Sequence, residues 1–217
     1  IVEEDSFLSC LEKNYPEKLN NIYSPPAKLY LHGAGTILNK PSIAIIGCRQ
    51  ASDYGKKVAF RFAYELAKQG IVIISGLARG IDTCGHLGAV KANGKTIAIL
   101  GSGFRHIYPA ENKGLCKEII QKGGAILTEY EPDSKPEKMH FPVRNRLISG
   151  LSNGVLVVEA KEKSGTLITV DHALEQGKEV YIIPGNITSN NSYGTNDLIK
   201  QGAKLVTKVE DILEEFI

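Results

Sequence analysis

Four times along this chain a β-branched run drives into glycine: Ser42-Ile43-Ala44-Ile45-Ile46-Gly47, Ile71-Val72-Ile73-Ile74-Ser75-Gly76, Thr96-Ile97-Ala98-Ile99-Leu100-Gly101 and Glu179-Val180-Tyr181-Ile182-Ile183-Pro184-Gly185. Continuous Val/Ile runs predict strands buried on both faces of a parallel sheet, because half-exposed antiparallel strands would alternate apolar with polar residues. Glycine at the carboxyl end lets the chain turn tightly and lets a ligand approach bare backbone. In open α/β sheets that edge is where ligands bind. Between the runs the spacing turns helical. Over 54–69, Val58, Phe62 and Leu66 share a face, and Gly70 stands where a C-cap glycine belongs. Further helices are predicted over 82–91 with Gly94 behind it, 112–122 closed by Gly123-Gly124, 145–151, 166–176 closed by Gly177, and 209–216. Strands are predicted over 125–128 and 155–158.

The alternation of strand and helix predicts an α/β domain over 41–217, with a mostly parallel sheet and helices on both faces. Residues 1–40 lack a sustained period and hold Pro16, Pro25 and Pro26, so they read as a short N-terminal extension of turns with at most one helix. Residues 131–141, with Pro132, Pro136 and several charges, read as an irregular loop of the length that often carries function.

Composition narrows this picture. With 217 residues and 42% apolar content the chain can bury a real core. Its net charge of +2 excludes a general basic coat, so affinity for a polyanion must come from local clusters. Cys10, Cys48, Cys84 and Cys116 are widely spaced, with no C-x-x-C pair and no secretion signal, which predicts a reduced, cytoplasmic protein. No run approaches the roughly 18 to 20 apolar residues needed to cross a bilayer, so membrane insertion is not expected. The chain opens on Ile1 rather than methionine, as expected of a piece of a longer protein.

Candidate chemistry collects at the strand ends. Gly47-Cys48-Arg49-Gln50-Ala51-Ser52 joins a strand to a helix and offers N–H groups, a guanidinium and a hydroxyl, which suits a phosphate; the plainer reading makes Ser52 or Asp53 a helix cap. Ser75-Gly76-Leu77-Ala78-Arg79-Gly80-Ile81-Asp82 repeats the design, with Asp82 as the expected N-cap. Gly101-Ser102-Gly103 is a weaker third copy, and Ser164-Gly165-Thr166 opens another helix. His140-Phe141-Pro142-Val143-Arg144-Asn145-Arg146, with Lys138 upstream, combines cations that can follow phosphates with an aromatic face that can stack a base. The plainer reading puts Phe141 in the core and Arg144 and Arg146 in ion pairs. Five histidines show no metal-ligand spacing, and neither G-x-G-x-x-G, G-x-S-x-G nor a Walker G-K-[ST] is present, so no catalytic residue, metal or cofactor is expected.

Taken in order, these segments resemble the DNA-processing protein A (DprA/Smf) family. The resemblance runs from about Tyr15 to the end and is most specific at Phe141-Pro142-Val143-Arg144-Asn145-Arg146-Leu147-Ile148-Ser149-Gly150-Leu151-Ser152; Ile107-Tyr108-Pro109 and Val157-Val158-Glu159-Ala160 add to it. It implies an extended Rossmann-like domain that binds and protects single-stranded DNA, assists loading of the RecA recombinase in natural transformation, catalyses no reaction and forms a homodimer. By position, Arg49, Lys138 and Phe141 become the expected DNA contacts, over a floor made by the turns at Gly47, Ser75-Gly76 and Gly101-Ser102-Gly103. Cys48 stands where the family often has threonine or serine. Many members carry a C-terminal winged-helix-like module, which this sequence, ending at Ile217, does not include. An alternative is a nucleotide-binding or nucleotide-cleaving protein of the lysine-decarboxylase-like/LOG superfamily, similar around Ser164-Gly165-Thr166. Its P-G-G-x-G-T-x-x-E signature is broken here, with Thr169 in place of the glutamate.

Overall fold

The computed structural model describes residues 6–9 and 15–215. In chain order the elements are β1 (Ser6–Ser9), α1 (Glu17–Asn20), β2 (Lys28–Gly33), β3 (Ser42–Gly47), α2 (Asp53–Lys68), β4 (Val72–Ser75), α3 (Ile81–Lys91), β5 (Thr96–Ile99) and α4 (Lys113–Gln121). They continue with β6 (Ala125–Thr128), α5 (His140–Leu151), β7 (Gly154–Glu159), α6 (Gly165–Glu175), β8 (Glu179–Ile182), α7 (Tyr193–Lys200), β9 (Lys204–Leu205) and α8 (Glu210–Leu213).

The described strands form one sheet in the order β1-β2-β6-β5-β4-β3-β7-β8-β9. From β6 to β9 every pairing is parallel, while β1 and β2 pair antiparallel at one edge. Successive side chains of β3 leave opposite faces, as the period-two pleat requires. Ile43 and Ile45 pack with Phe62 and Leu66 of α2 and Ile81 of α3. Ala44 and Ile46 pack with Leu147, Ile148 and Leu151 of α5 and Val170 of α6. Helices therefore cover both faces, which is why the central strands read as unbroken apolar runs. Strand order reverses between β3, which runs on to β4, and its other neighbour β7; a crevice opens at that switch point.

The structure departs from the sequence expectations where a local signal had two meanings. In place of turns alone, residues 28–33 form a strand between β1 and β6, whose Leu29, Tyr30 and Leu31 are buried within the sheet between proline-marked segments. Helix α5 starts at His140 rather than near 145, because Pro142 falls in the first turn, where the missing N–H has no intrahelical partner to lose. Helix α7 and strand β9 had no predicted counterpart. Asp82 is not the cap of α3: Gly80 takes that position at φ +78°, and Asp82 turns inward. The close of α3 falls on Asn93 at φ +54°, one residue before the expected Gly94. Of the predicted last helix, 210–213 is helical, and its end at 216 lies outside the described residues.

Candidate functional site

The turns after β3 and β4, the start of α5 and the start of α6 surround a cavity of about 910 Å³ at the carboxyl edge of the sheet. Gly47, Arg49, Arg79, Lys138, Phe141, Arg144, Asn145, Ser164, Gly165 and Thr166 all line it. Arg49 is exposed, with its guanidinium 5.5 Å from the Phe141 ring centroid, inside cation–π range. Lys138 is exposed on the wall. Neither Arg49 nor Lys138 has a carboxylate partner among the described residues. Phe141 is half-buried, its ring seated over Gly101, where a Cβ would come within 2.9 Å of it. Gly101 thus makes room for the aromatic ring rather than for a ligand.

Helix α6 opens on the groove with Ser164 as N-cap, and the Ser164 side chain makes no capping bond. The Leu167 amide donates to the Ser164 carbonyl at 3.1 Å, which leaves the Gly165 and Thr166 amides with their donor capacity at the groove. Asn145 bridges toward this end through its Nδ2, 3.4 Å from the Gly165 carbonyl.

The two arginines of α5 are committed elsewhere. Arg144 is only 3% exposed; its Nη1 donates to the Gly76 carbonyl at 2.9 Å and to the Ile99 carbonyl, locking the ends of β4 and β5 together under the groove. Asp82 lies beneath it and accepts from the Gly76 and Ala78 amides at 3.1 and 3.4 Å. Burial pushes the Asp82 carboxyl up to about 6 despite Arg144, and burial also draws the Arg144 guanidinium down to about 10. Arg146, at 8% exposure, forms a two-pronged ion pair with Glu129 at 2.7 Å for each contact and donates to the Ser24 carbonyl, outside the groove lining. The expectation that Arg146 meets a ligand is corrected by this geometry: its fork is filled by a carboxylate.

Several predicted hydroxyls are likewise spoken for. Ser52 caps α2, accepting from the Gly55 amide at 3.0 Å, while its hydroxyl and amide both donate to the buried carboxylate of Glu159. Glu159 therefore fills the start of α2, the place where a Rossmann phosphate would otherwise take the helix's first amides. The Ser75 hydroxyl donates to the Ile45 carbonyl at 2.6 Å, tying β3 to β4, and the Ser102 hydroxyl donates to the His106 carbonyl at 2.8 Å. Gly76 gives its amide to Asp82 and its carbonyl to Arg144. Gly80 admits the Cys48 carbonyl, which a Cβ there would meet at 2.3 Å. Gly103 holds the 131–134 segment, its amide donating to Ser134 at 2.9 Å. These residues build the floor, and among them Gly76 reaches a small side recess of the groove beside Tyr108 and Phe141.

Arg79 faces the groove but is paired: its Nε and Nη2 donate to the two Glu111 carboxylate oxygens, each at 2.9 Å. The sequence reading did not place Tyr108, Gln50 or Lys161 in the site, and all three line it. Tyr108 is 40% exposed, 5.5 Å from the Phe141 ring and 6.0 Å below the Arg79 guanidinium, so it extends the aromatic surface. The Tyr108-Pro109 dipeptide after the third strand-end turn was the available signal. Among the described residues no three metal-ligating side chains cluster, and no helix is long and apolar enough to cross a membrane.

An open, mostly parallel sheet with a basic and aromatic crevice at its switch point defines a Rossmann-like protein built to hold an anionic ligand. The chain belongs to the family described as DNA recombination-mediator protein A, which matches residues 6–217. It is 48% identical over 204 residues to the DNA processing protein DprA of Bacillus subtilis, covering 94% of this chain and 68% of that one. The X-ray structure of DprA from Streptococcus pneumoniae superposes with a TM-score of 0.92 at 43% identity, over 98% of this chain and 75% of that one. DprA from Helicobacter pylori, described for its single-stranded DNA binding mode, superposes with a TM-score of 0.88 at 34% identity, over 98% and 95%. The nucleotide-cleaving alternative is not favoured: Thr169, which lines the cavity where its carboxylate would stand, brings a hydroxyl and no carboxylate.

Proposed function

We propose that this groove captures single-stranded DNA without catalysing a reaction. Backbone phosphates pair with Arg49 and Lys138 and with the free amides at the start of α6, while Phe141, supported by Tyr108, stacks a base. The observation that carries the reading is one cavity that holds Arg49 and Lys138, neither with a carboxylate partner among the described residues, together with an aromatic ring that Gly101 seats at the wall and that Arg49 overlies. Arg144, Arg146, Ser52, Ser75 and Ser102 act beneath or beside that surface as its scaffold. A cytoplasmic homodimer that passes the strand to RecA fits a member of a recombination-mediator family.

Fluorescence anisotropy with labelled oligothymidine tests this. Neutralising about three to six phosphates gives a log–log salt slope of about −2 to −4. Phe141→Ala should weaken binding by about 1 to 3 kcal/mol, and Arg49→Ala should lower the slope by about 0.7. Salt-independent binding, or an Arg49→Ala protein that binds like wild type, would overturn the proposal.

A further inference from the structure

Arg79 differs from the other groove cations in one respect. Arg49 and Lys138 meet no carboxylate among the described residues, whereas both prongs of the Arg79 fork are taken by Glu111 at 2.9 Å, on an exposed rim beside Tyr108. A two-pronged guanidinium–carboxylate pair has the geometry of a guanidinium–phosphate pair, so Glu111 occupies the donors a backbone phosphate would need. The carboxylate is tethered within reach, and a passing phosphate must compete with its local concentration.

We propose that Glu111 withholds Arg79 from the bound strand and thereby sets the groove's affinity below what its cations could reach. The inference rests on the reading of the groove as a single-strand site. It deepens that reading by naming a residue that limits binding rather than supplying it. A protein that must give its strand up gains from such a limit, because a further freed cation would slow release.

The experiment is a double-mutant cycle on the purified chain, with labelled oligothymidine titrated at several salt concentrations. Glu111→Gln keeps the side-chain shape and removes the charge. It should tighten binding about two- to fivefold, the worth of an exposed pair, and steepen the salt slope by about 0.7 for the one phosphate that Arg79 then neutralises. Arg79→Ala alone should change affinity less than twofold. Combined with Glu111→Gln, Arg79→Ala should return affinity and slope to wild-type values. Asp133→Asn, which removes the carboxylate paired with Arg105 outside the groove lining, serves as the control for a change of overall charge.

A Glu111→Gln gain that persists without Arg79 would mark a general charge effect and overturn the proposal. So would a loss of affinity accompanied by a lowered unfolding temperature, or a strong effect of Arg79→Ala in the wild-type background. If instead Arg49→Ala leaves wild-type binding unchanged, the single-strand reading itself fails, whatever Glu111 does.

Discussion

Arg144 and Arg146 stand on one helix, and Arg49 and Lys138 stand on the turns around its start; the four carry the same charge and share almost nothing else. The helical pair is buried and bonded inward, one to strand-end carbonyls above Asp82 and the other to Glu129. The turn pair is exposed and unpaired among the described residues. A desolvated cation must find partners within the protein, and once found they leave it little to offer a ligand. An exposed cation keeps its donors for an anion and adds little to folding. In the function proposed for the groove these tasks are divided: one pair fixes the shape of the floor, and the other is left to meet what enters.

The largest test of that division is Arg144→Met, which leaves the Asp82 carboxylate buried without its cation. It should cost about 3 to 5 kcal/mol in urea unfolding at neutral pH. An Arg144→Met protein of unchanged stability that had lost only DNA binding would place Arg144 with the rim and break the comparison.

A second test measures how dry the floor is. The Thr96 hydroxyl donates to the Ile73 carbonyl, so His86 Nδ1, 2.7 Å away, is the donor between them, and Nε2 is left unbonded. Burial, with Arg144 nearby, brings the His86 imidazole down to about 3. Below pH 6.5 the unfolded chain takes a proton at this site and the folded one does not, so His86 removes stability as pH falls toward 3. Asp82 acts in the opposite sense. Folded Asp82 takes its proton below about 6 and the unfolded residue only below 3.8, so stability is gained as pH falls through that window. The two contributions offset one another between about pH 6 and 4. Asp82→Asn should uncover the histidine, steepening the acid loss there by about 1.4 kcal/mol per pH unit; pH-dependent denaturation curves of the two proteins read it directly. Parallel curves would show that water reaches the floor.

The smallest effect belongs to the rim. Lys138→Ala should move unfolding by no more than about 0.5 kcal/mol while reducing the salt slope for oligothymidine by about 0.7. A matching loss of stability would make Lys138 a scaffold residue like Arg144.

Much of the frame was legible along the chain. The predicted strand over 125–128 coincides with β6, and those over 42–47 and 155–158 fall on β3 and β7. Gly70, Gly123 and Gly177 all take positive φ at helix ends. Strand β2 was harder to see because its alternation is short and lies between prolines. Within the site, Arg49, Lys138 and Phe141 were legible because glycine turns and an aromatic–basic run bring cations to a strand end. Ser52, Ser75 and Ser102 were misleading for a physical reason: a serine after a strand looks the same whether its hydroxyl meets a ligand or a neighbouring strand's carbonyl.

Local sequence determined which residues form strands, which edge of the sheet carries glycine and positive charge, and hence where a ligand would lie, because periodicity, caps and turns act over a few residues. Which cations stay free was decided only by tertiary structure. Glu129, Glu111 and Asp82 reach Arg146, Arg79 and Arg144 across 17, 32 and 62 positions of chain. Charge pairing at that separation depends on how the helices dock on the sheet, and no local pattern records it.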